Sequence, residues 1–311
     1  MASTEPAARR PRVLCAGIAV LDDIFRVEAF PEPAGKAQAS AFVSVGGGCA
    51  ANAAVTVARL DGQAIYAGPL GGPAGRDPIS DRLLAALQDE GIDCSGCVRV
   101  AGASSPHSII CVDAKGERTI VTYRDDRIGA AAPHDPQALV AGVDAVHADN
   151  RLPNFTLPVC EAARRRGIPV VLDVDKPTTF GDRLLQVASH VVFSAESLCA
   201  TAGSSDLRSA LARLAPMVPS FLAVTDGPRP VLWRDENGAI RELGVFKIEA
   251  VDTLAAGDVF HGALALALAE NRPIRDALRF AAAAAGLKCT RFGGSTGAPR
   301  RAEVEALLAA P

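Results

Sequence analysis

The chain predicts an α/β fold built around a parallel sheet, and three observations carry that expectation. Val13 to Leu21 (VLCAGIAVL) is a nearly continuous apolar run ending at Asp22, as in a strand covered on both faces. From about residue 140, apolar segments (AVHAD, IPVVLDVD, HVVFS, FLAVTDG) alternate with helical ones (PVCEAARRRG, DLRSALARLAP), the pattern of βαβ units with right-handed crossovers. Between these regions lie stretches of strict apolar–polar alternation, which predict half-exposed antiparallel strands gathered into one small sheet outside the main one.

The elements follow in order. IFRVEAF and ASAFVSV, between Ile24 and Val45, are alternating strands separated by Pro31, Pro33 and Gly35. HSIICVD, AKGE and RTIVTY read as a hairpin turning at Lys115-Gly116, and VLWRDENGAIREL as a later one turning at Asn237-Gly238. GVFKIEAV predicts a strand running into a small-residue turn, after which a helix spans Gly257 to about Ala269. A last long helix is expected from about Pro273, which suits a first helical turn, to Cys289. No fixed-period repeat occurs, and disorder is expected only over the first ten residues or so.

A length of 311 residues allows two domains of roughly 150 or one large α/β domain with an appendage. Hydrophobic residues at 49% and charged residues at 22% are those of a chain with a substantial core. A net charge of −3, from 32 basic and 35 acidic side chains, gives no global positive field for nucleic acid or an anionic membrane. Aromatics at 5% leave no stacking platform for single strands. No apolar stretch of about 18 residues occurs and the start lacks a secretory apolar segment, so the chain is expected to be soluble and cytoplasmic. The 8 cysteines are read as small buried hydrophobes. Cys94 and Cys97 form a lone C-x-x-C, and the 5 histidines show no ligand spacing, so neither a metal nor a redox centre is expected.

Three constellations can carry chemistry. In Asp252-Thr253-Leu254-Ala255-Ala256-Gly257-Asp258 a small-residue turn opens a helix. Free N–H groups of Ala256 and Gly257, with the helix dipole, suit phosphate oxygens, and Asp258 can take a proton from an attacking hydroxyl. Asp252 and Asp258 are equally read as plain helix caps. In Gly46-Gly47-Gly48-Cys49-Ala50-Ala51-Asn52 the glycines let a ligand approach the backbone, with Asn52 and Asp22 on the hydroxyls of a small polyol. A weakened dinucleotide fingerprint and a purely structural glycine turn are the competing readings, the first lacking its acidic residue after AIYAGPL. Asp173, Asp175, Ser194 and Thr225-Asp226-Gly227 fall at strand ends, on the rim where open α/β sheets bind ligands.

Together these residues resemble the ribokinase-like (pfkB) family of carbohydrate kinases over nearly the whole chain. The anchors are G-G-x-x-x-N at Gly47, Gly48 and Asn52, and D-T-x-G-A-G-D at Asp252 to Asp258, with Ala255 where the family usually has Gly. The resemblance implies a ribokinase-like, doubly wound, mostly parallel sheet flanked by helices. It implies a single domain over 1–311, with a small β-sheet lid from about 23–45 and 106–125. It further implies transfer of the γ-phosphoryl group of ATP to a sugar hydroxyl, with Asp258 as base and Ala255, Ala256 and Gly257 as the anion hole. Asp22, Gly47, Gly48 and Asn52 then bind the sugar, and Ser194, Thr225, Gly227, Ala282 and Gly286 the nucleotide. Mg²⁺ accompanies ATP, and a monovalent cation, K⁺, is expected beside the Asp252 loop. The family's N-x-x-E, which organises Mg²⁺ waters, is replaced here by Ser194 and Ser197, with Glu196 one position off.

Within the family the chain is most similar to the sulfofructose kinase branch. The shared pieces are G-I-x-V-x-D ending at Asp22, Gly35-Lys36, VDxKGER at Val112 to Arg118, DVFHGAL at Asp258 to Leu264, and KCTR with the following GG and GxP. Lys36 and Arg151 match sulfonate-holding positions, whereas Thr122, Phe292 and Ser295 depart from the branch. The resulting expectation is a kinase of a ketose-type sugar, with 6-deoxy-6-sulfofructose as the branch's acceptor. A kinase of a neutral sugar or nucleoside, and a non-catalytic sugar or nucleotide sensor, stand as alternatives. A homodimer through the lid is expected from the apolar alternation of its strands.

Overall fold

Residues 9–310 are described by the structure, a computed structural model. The expected N-terminal disorder therefore lies, for residues 1–8, outside the described residues. In chain order the first strands are β1 (Arg12–Ala16), β2 (Val20–Arg26), β3 (Ala41–Gly47), β4 (Gln63–Ala67), β5 (Pro69–Gly71), β6 (Val98–Val100), β7 (His107–Val112) and β8 (Arg118–Tyr123). The rest are β9 (Ala145–Asp149), β10 (Val170–Val174), β11 (His190–Ser194), β12 (Phe221–Asp226), β13 (Arg229–Arg234) and β14 (Ile240–Leu243).

The main sheet has eight strands in the order β14-β13-β12-β11-β10-β9-β1-β4. Its strands are parallel from β4 to β12, and β13 and β14 close the edge as antiparallel hairpin strands. The continuous apolar runs have the predicted cause, because β9 and β10 are buried at every residue. Alternate residues of β1 enter opposite layers: Val13 and Cys15 pack into one core, Leu14 and Ala16 into the other.

The alternating segments form the second sheet, with four strands in the order β3-β2-β7-β8. The two predicted antiparallel pairs are joined by a parallel pairing of β2 with β7. Its inner face carries Ile24, Ile110 and Val112, which pack with Val43, Val45, Leu254 and Phe292. Its outer face leaves Phe42, Ile109, Val121 and Tyr123 exposed.

Two expectations are corrected. The run Val13 to Leu21 is not one strand but the end of β1 and the start of β2, in different sheets. The Asp149 carboxylate at the end of β9 accepts the Ile18 N–H at 2.7 Å, which takes that donor out of the ladder and turns the chain away. The segment GVFKIEAV pairs with no strand. Its end is held instead by the last turn of the final long helix, where Cys289 O accepts the N–H of Val251 at 2.8 Å and of Asp252 at 3.1 Å.

The helix Ala256–Ala269 is buried at every residue from Val259 to Ala267. It packs against the helix Cys49–Arg59 and the helix Ile274–Cys289. The small residues ALALALA and AAAAAG make that close approach feasible. At Gly262 an added Cβ would lie 2.6 Å from Ala53 O, so only glycine fits between the first two helices. Gly262→Val should therefore destabilise the fold by about 1–3 kcal/mol through overpacking, seen as a lower urea midpoint; an unchanged midpoint would show that the two helices separate freely.

Candidate active site

The C-terminal rim of the main sheet meets the inner face of the second sheet at the start of two helices, Cys49–Arg59 and Ala256–Ala269. Gly47 ends β3, and a Cβ there would lie 1.8 Å from Asp22 Oδ2, so the glycine leaves the room that the Asp22 carboxylate occupies. Gly48 caps the first helix. Asn52 lies one turn along it, 4% exposed, and its Nδ2 donates to Asp258 Oδ2 at 2.6 Å. Its Oδ1 is buried and has no partner. Residues separated by 206 positions are thus joined at the centre of the cleft.

Asp258 is half-buried in the first turn of its helix. Ala255 precedes that helix in the left-handed region, with φ 64° and ψ 9°. The Ala256 N–H, expected to face outward, donates back to Thr253 O at 3.3 Å. The N–H groups of Gly257 and Asp258 have no partner among the described residues, so the open donors lie one residue further along than the sequence suggested. The Gly257 carbonyl accepts from His261 Nδ1 at 2.7 Å, which fixes the tautomer of that buried histidine.

Behind Asp258 stands a cluster of acids with one guanidinium. Arg151, which the resemblance assigned to an anionic substrate tail, is bonded to Asp175 through Nε at 2.7 Å and also through Nη2. Cys49 donates its thiol to Asp175 at 3.6 Å, and its sulfur lies with Asp173 and Asp258 in a group whose donor atoms are within 4.8 Å of one another. Asp173 is 3% exposed, and its carboxylate accepts no hydrogen bond among the described residues, with His261 Nδ1 at 3.5 Å from Oδ2. Burial pushes Asp22 up to about 7, against a Ser108 hydrogen bond that lowers it. Burial likewise pushes Asp149 up to about 6, opposed by the N–H of Ile18 and Arg151. Asp258 is raised by burial, with Asn52 pulling it down and Asp175 pushing it further up. Such a group binds a proton more readily than a free carboxylate.

The remaining expected residues sit around this centre. Ser194 and Thr225 are register partners at the ends of β11 and β12, and Gly227 follows in an exposed turn. Ser194 Oγ also caps the helix Ala195–Ala202. Glu196 is exposed. Ala282 is buried in its helix, and Gly286 faces Phe246 and Ile248. Lys36 lies in an exposed loop with no ion pair among the described residues, so it and Arg151 do not form the expected pair of free cations. Asp252 is 5% exposed and is paired with the buried Lys288. Sequence reasoning missed Cys49, Asp149, His261 and Lys288 as members of this region. Lys288 alone carried a signal, a charge on the buried face of an alanine-rich helix.

Known proteins share the fold and the family of this chain. The family described as pfkB family carbohydrate kinase matches residues 10–301. Ribokinase of Bacillus subtilis is 30% identical over 272 residues, covering 86% of this chain and 89% of the relative. Fructokinase-1 of Oryza sativa subsp. japonica is 27% identical over 302 residues, covering 88% and 91%. Among solved structures, fructokinase of Xylella fastidiosa with bound ATP aligns with a TM-score of 0.75 at 27% identity, over 96% of this chain and 98% of that one. Arabidopsis thaliana ribokinase complexed with ribose and ATP aligns with a TM-score of 0.82 at 23% identity, over 97% and 99%, a likeness of fold.

The raised Asp22 has a consequence for stability. Between its ordinary value of 3.8 and about 7 the folded chain keeps a proton that the unfolded chain has released. Through this group stability therefore falls as pH rises across that window. Asp22→Asn removes the group, so the variant should gain on the parent from pH 4 to 7, and the difference between the two should be constant above pH 7. Urea midpoints taken at steps of pH test this, and parallel curves for the two proteins would contradict it.

Proposed function

The chain belongs to the pfkB family of carbohydrate kinases, and from that premise we propose that it transfers the γ-phosphoryl group of ATP to a hydroxyl of a ketose-type sugar. The observation that carries the reading is the Asn52–Asp258 contact, which brings a buried amide to the side of a carboxylate that readily takes a proton. On this reading the sugar lies between Asp22, Gly47, Gly48 and Asn52, with the unpartnered Oδ1 of Asn52 accepting one of its hydroxyl protons. Asp258 takes the proton of the attacking hydroxyl, and the open N–H groups of Gly257 and Asp258 face the charge that builds on the transferred group. Ala255 and Ala256 shape that turn. Ser194, Thr225, Gly227, Ala282 and Gly286 line the nucleotide side of the rim.

Mg²⁺ enters with ATP as part of the substrate. The carboxylate oxygens of Asp173 and Asp258, the former accepting no hydrogen bond, suit a hard cation there. The second sheet acts as the lid that keeps water from the transfer, its inner face closing on Leu254 beside the anion hole. A sulfonated ketose needs both Lys36 and Arg151 as free cations. Arg151 is neutralised by Asp175, which favours an uncharged acceptor. The action is taken to be cytoplasmic, where ATP is supplied; among the described residues no helix is long and apolar enough to cross a membrane.

The test is ADP release with Mg·ATP across fructose, ribose, fructose 6-phosphate, 6-deoxy-6-sulfofructose and adenosine. Turnover is expected with a neutral sugar, and Asp258→Asn should lower kcat by about 10²–10⁴ while leaving sugar binding nearly unchanged. Equal turnover in that variant removes Asp258 as base, preference for the sulfonated sugar restores the cationic tail, and binding without ADP favours a sensor.

A second copy of the chain is the proposed occupant of the lid's outer face, where Phe42, Val121 and Tyr123 are 58%, 67% and 59% exposed. Light scattering should give a dimer mass for the parent and a monomer mass for a variant carrying Val121→Lys and Tyr123→Lys; a monomeric parent ends this reading.

A further inference from the structure

The turn that leads into the Ala256–Ala269 helix is tied down by a lysine with no exposure to solvent. Lys288 stands on the last turn of the helix Ile274–Cys289 and is 0% exposed. Its Nζ donates to Asp252 O at 2.8 Å and to Arg291 O at 3.5 Å, and lies 3.2 Å from Asp252 Oδ2. Two backbone carbonyls and one carboxylate, from two separate loops, therefore converge on a single positive nitrogen. Oxygens of this kind, with one negative charge among them, form a cradle for a monovalent cation, and an ammonium group meets the same demand by donating to each.

The rest of the Asp252 carboxylate is already engaged. Oδ1 accepts the Leu254 N–H at 2.8 Å, and Oδ2 accepts the N–H of Gly293 at 3.0 Å and of Gly294 at 3.4 Å. A free K⁺ beside this loop, as the family resemblance implies, does not fit here, because the acceptors that would hold it surround the Lys288 ammonium. The neighbouring Cys289 carbonyl holds the N–H groups of Val251 and Asp252, so the helix end and the loop move as one unit. Three residues after Asp252 comes Ala255 in its left-handed conformation, followed by the open N–H groups.

We propose that Lys288 is a built-in monovalent cation, its ammonium clamping the Asp252 and Arg291 loops so that the turn before Asp258 is set without added K⁺. Lys288 touches no reacting atom and acts as a positioning residue through that turn. The consequence for turnover rests on the kinase reading above; the cation cradle itself does not.

The test compares the parent with Lys288→Met, which keeps the unbranched stem as far as Cε and removes the charged nitrogen. Each protein is assayed in tetramethylammonium buffer with added KCl, NH₄Cl or LiCl, and its thermal midpoint is followed over the same titrations. The parent should show the same kcat and the same midpoint whether or not K⁺ is present. Lys288→Met should lose on the order of a hundredfold in kcat without K⁺, through misplacement of the turn. K⁺ or NH₄⁺, but not Li⁺, should restore much of the loss and raise its midpoint. A parent activated or stabilised specifically by K⁺ would overturn the proposal, and so would a folded variant indifferent to every cation. Should the variant fail to fold, the parent's own K⁺ titration still decides. Should no sugar be turned over, the kinase reading fails alone, and the thermal midpoints continue to judge the clamp.

Discussion

A carboxylate that is to take a proton from an alcohol must be withdrawn from water enough to raise its proton affinity, yet held so that it does not drift. The Asn52–Asp258 contact meets both conditions, and much of the architecture is arranged to make it. Desolvation alone would leave Asp258 either neutral or uncompensated. The Asn52 amide at 2.6 Å orients one oxygen and stabilises the ionised form, while Asp175 and burial act the other way. Both residues start helices whose tight packing at Gly262 fixes their separation. The distance between two residues remote in sequence thus depends on a helix contact with no chemistry of its own.

The second sheet enters through the same constraint. Its inner face contributes Asp22, raised by burial, and the apolar side chains over Leu254; its outer face stays apolar and exposed. Period-two alternation assigns one set of residues to each face, so the strands that shelter the cleft necessarily present the other set outward. Arg151 limits the accumulation of negative charge behind Asp258. Its bond to Asp175 leaves Asp149, Asp173 and Asp258 to be relieved by protons, by backbone N–H groups or by an incoming cation.

Much of this was legible in the sequence because it is local. The parallel strands, the two antiparallel pairs and the turn before Asp258 follow from hydrophobic period and from turn residues within a few positions. What was not legible depends on partners far along the chain. The break between β1 and β2 is enforced by Asp149, 131 positions from Ile18. The GVFKIEAV segment has strand composition, but its end is claimed by a helix terminus instead of a sheet edge. Arg151 reads as a free cation until the fold sets Asp175 against it. Cys49 was correctly read as buried, but composition cannot say that it is buried among carboxylates.

Ala255 shows how such long-range contacts settle a local question. An L-residue in the left-handed region costs about 1–2 kcal/mol, and a glycine there would avoid that cost. The conformation persists where its surroundings over-determine it. Here Asp252 accepts three backbone N–H groups, Lys288 bridges Asp252 and Arg291, and Val259 N–H closes on Ala255 O at 3.0 Å. With both flanks fixed, the turn has no alternative that keeps these bonds, and the N–H groups of Gly257 and Asp258 remain directed into the cleft. Glycine at this position would make the turn easier to form but also easier to leave. Alanine makes the open donors conditional on an intact clamp, and so ties the electrostatics of the site to a buried ammonium in a different helix.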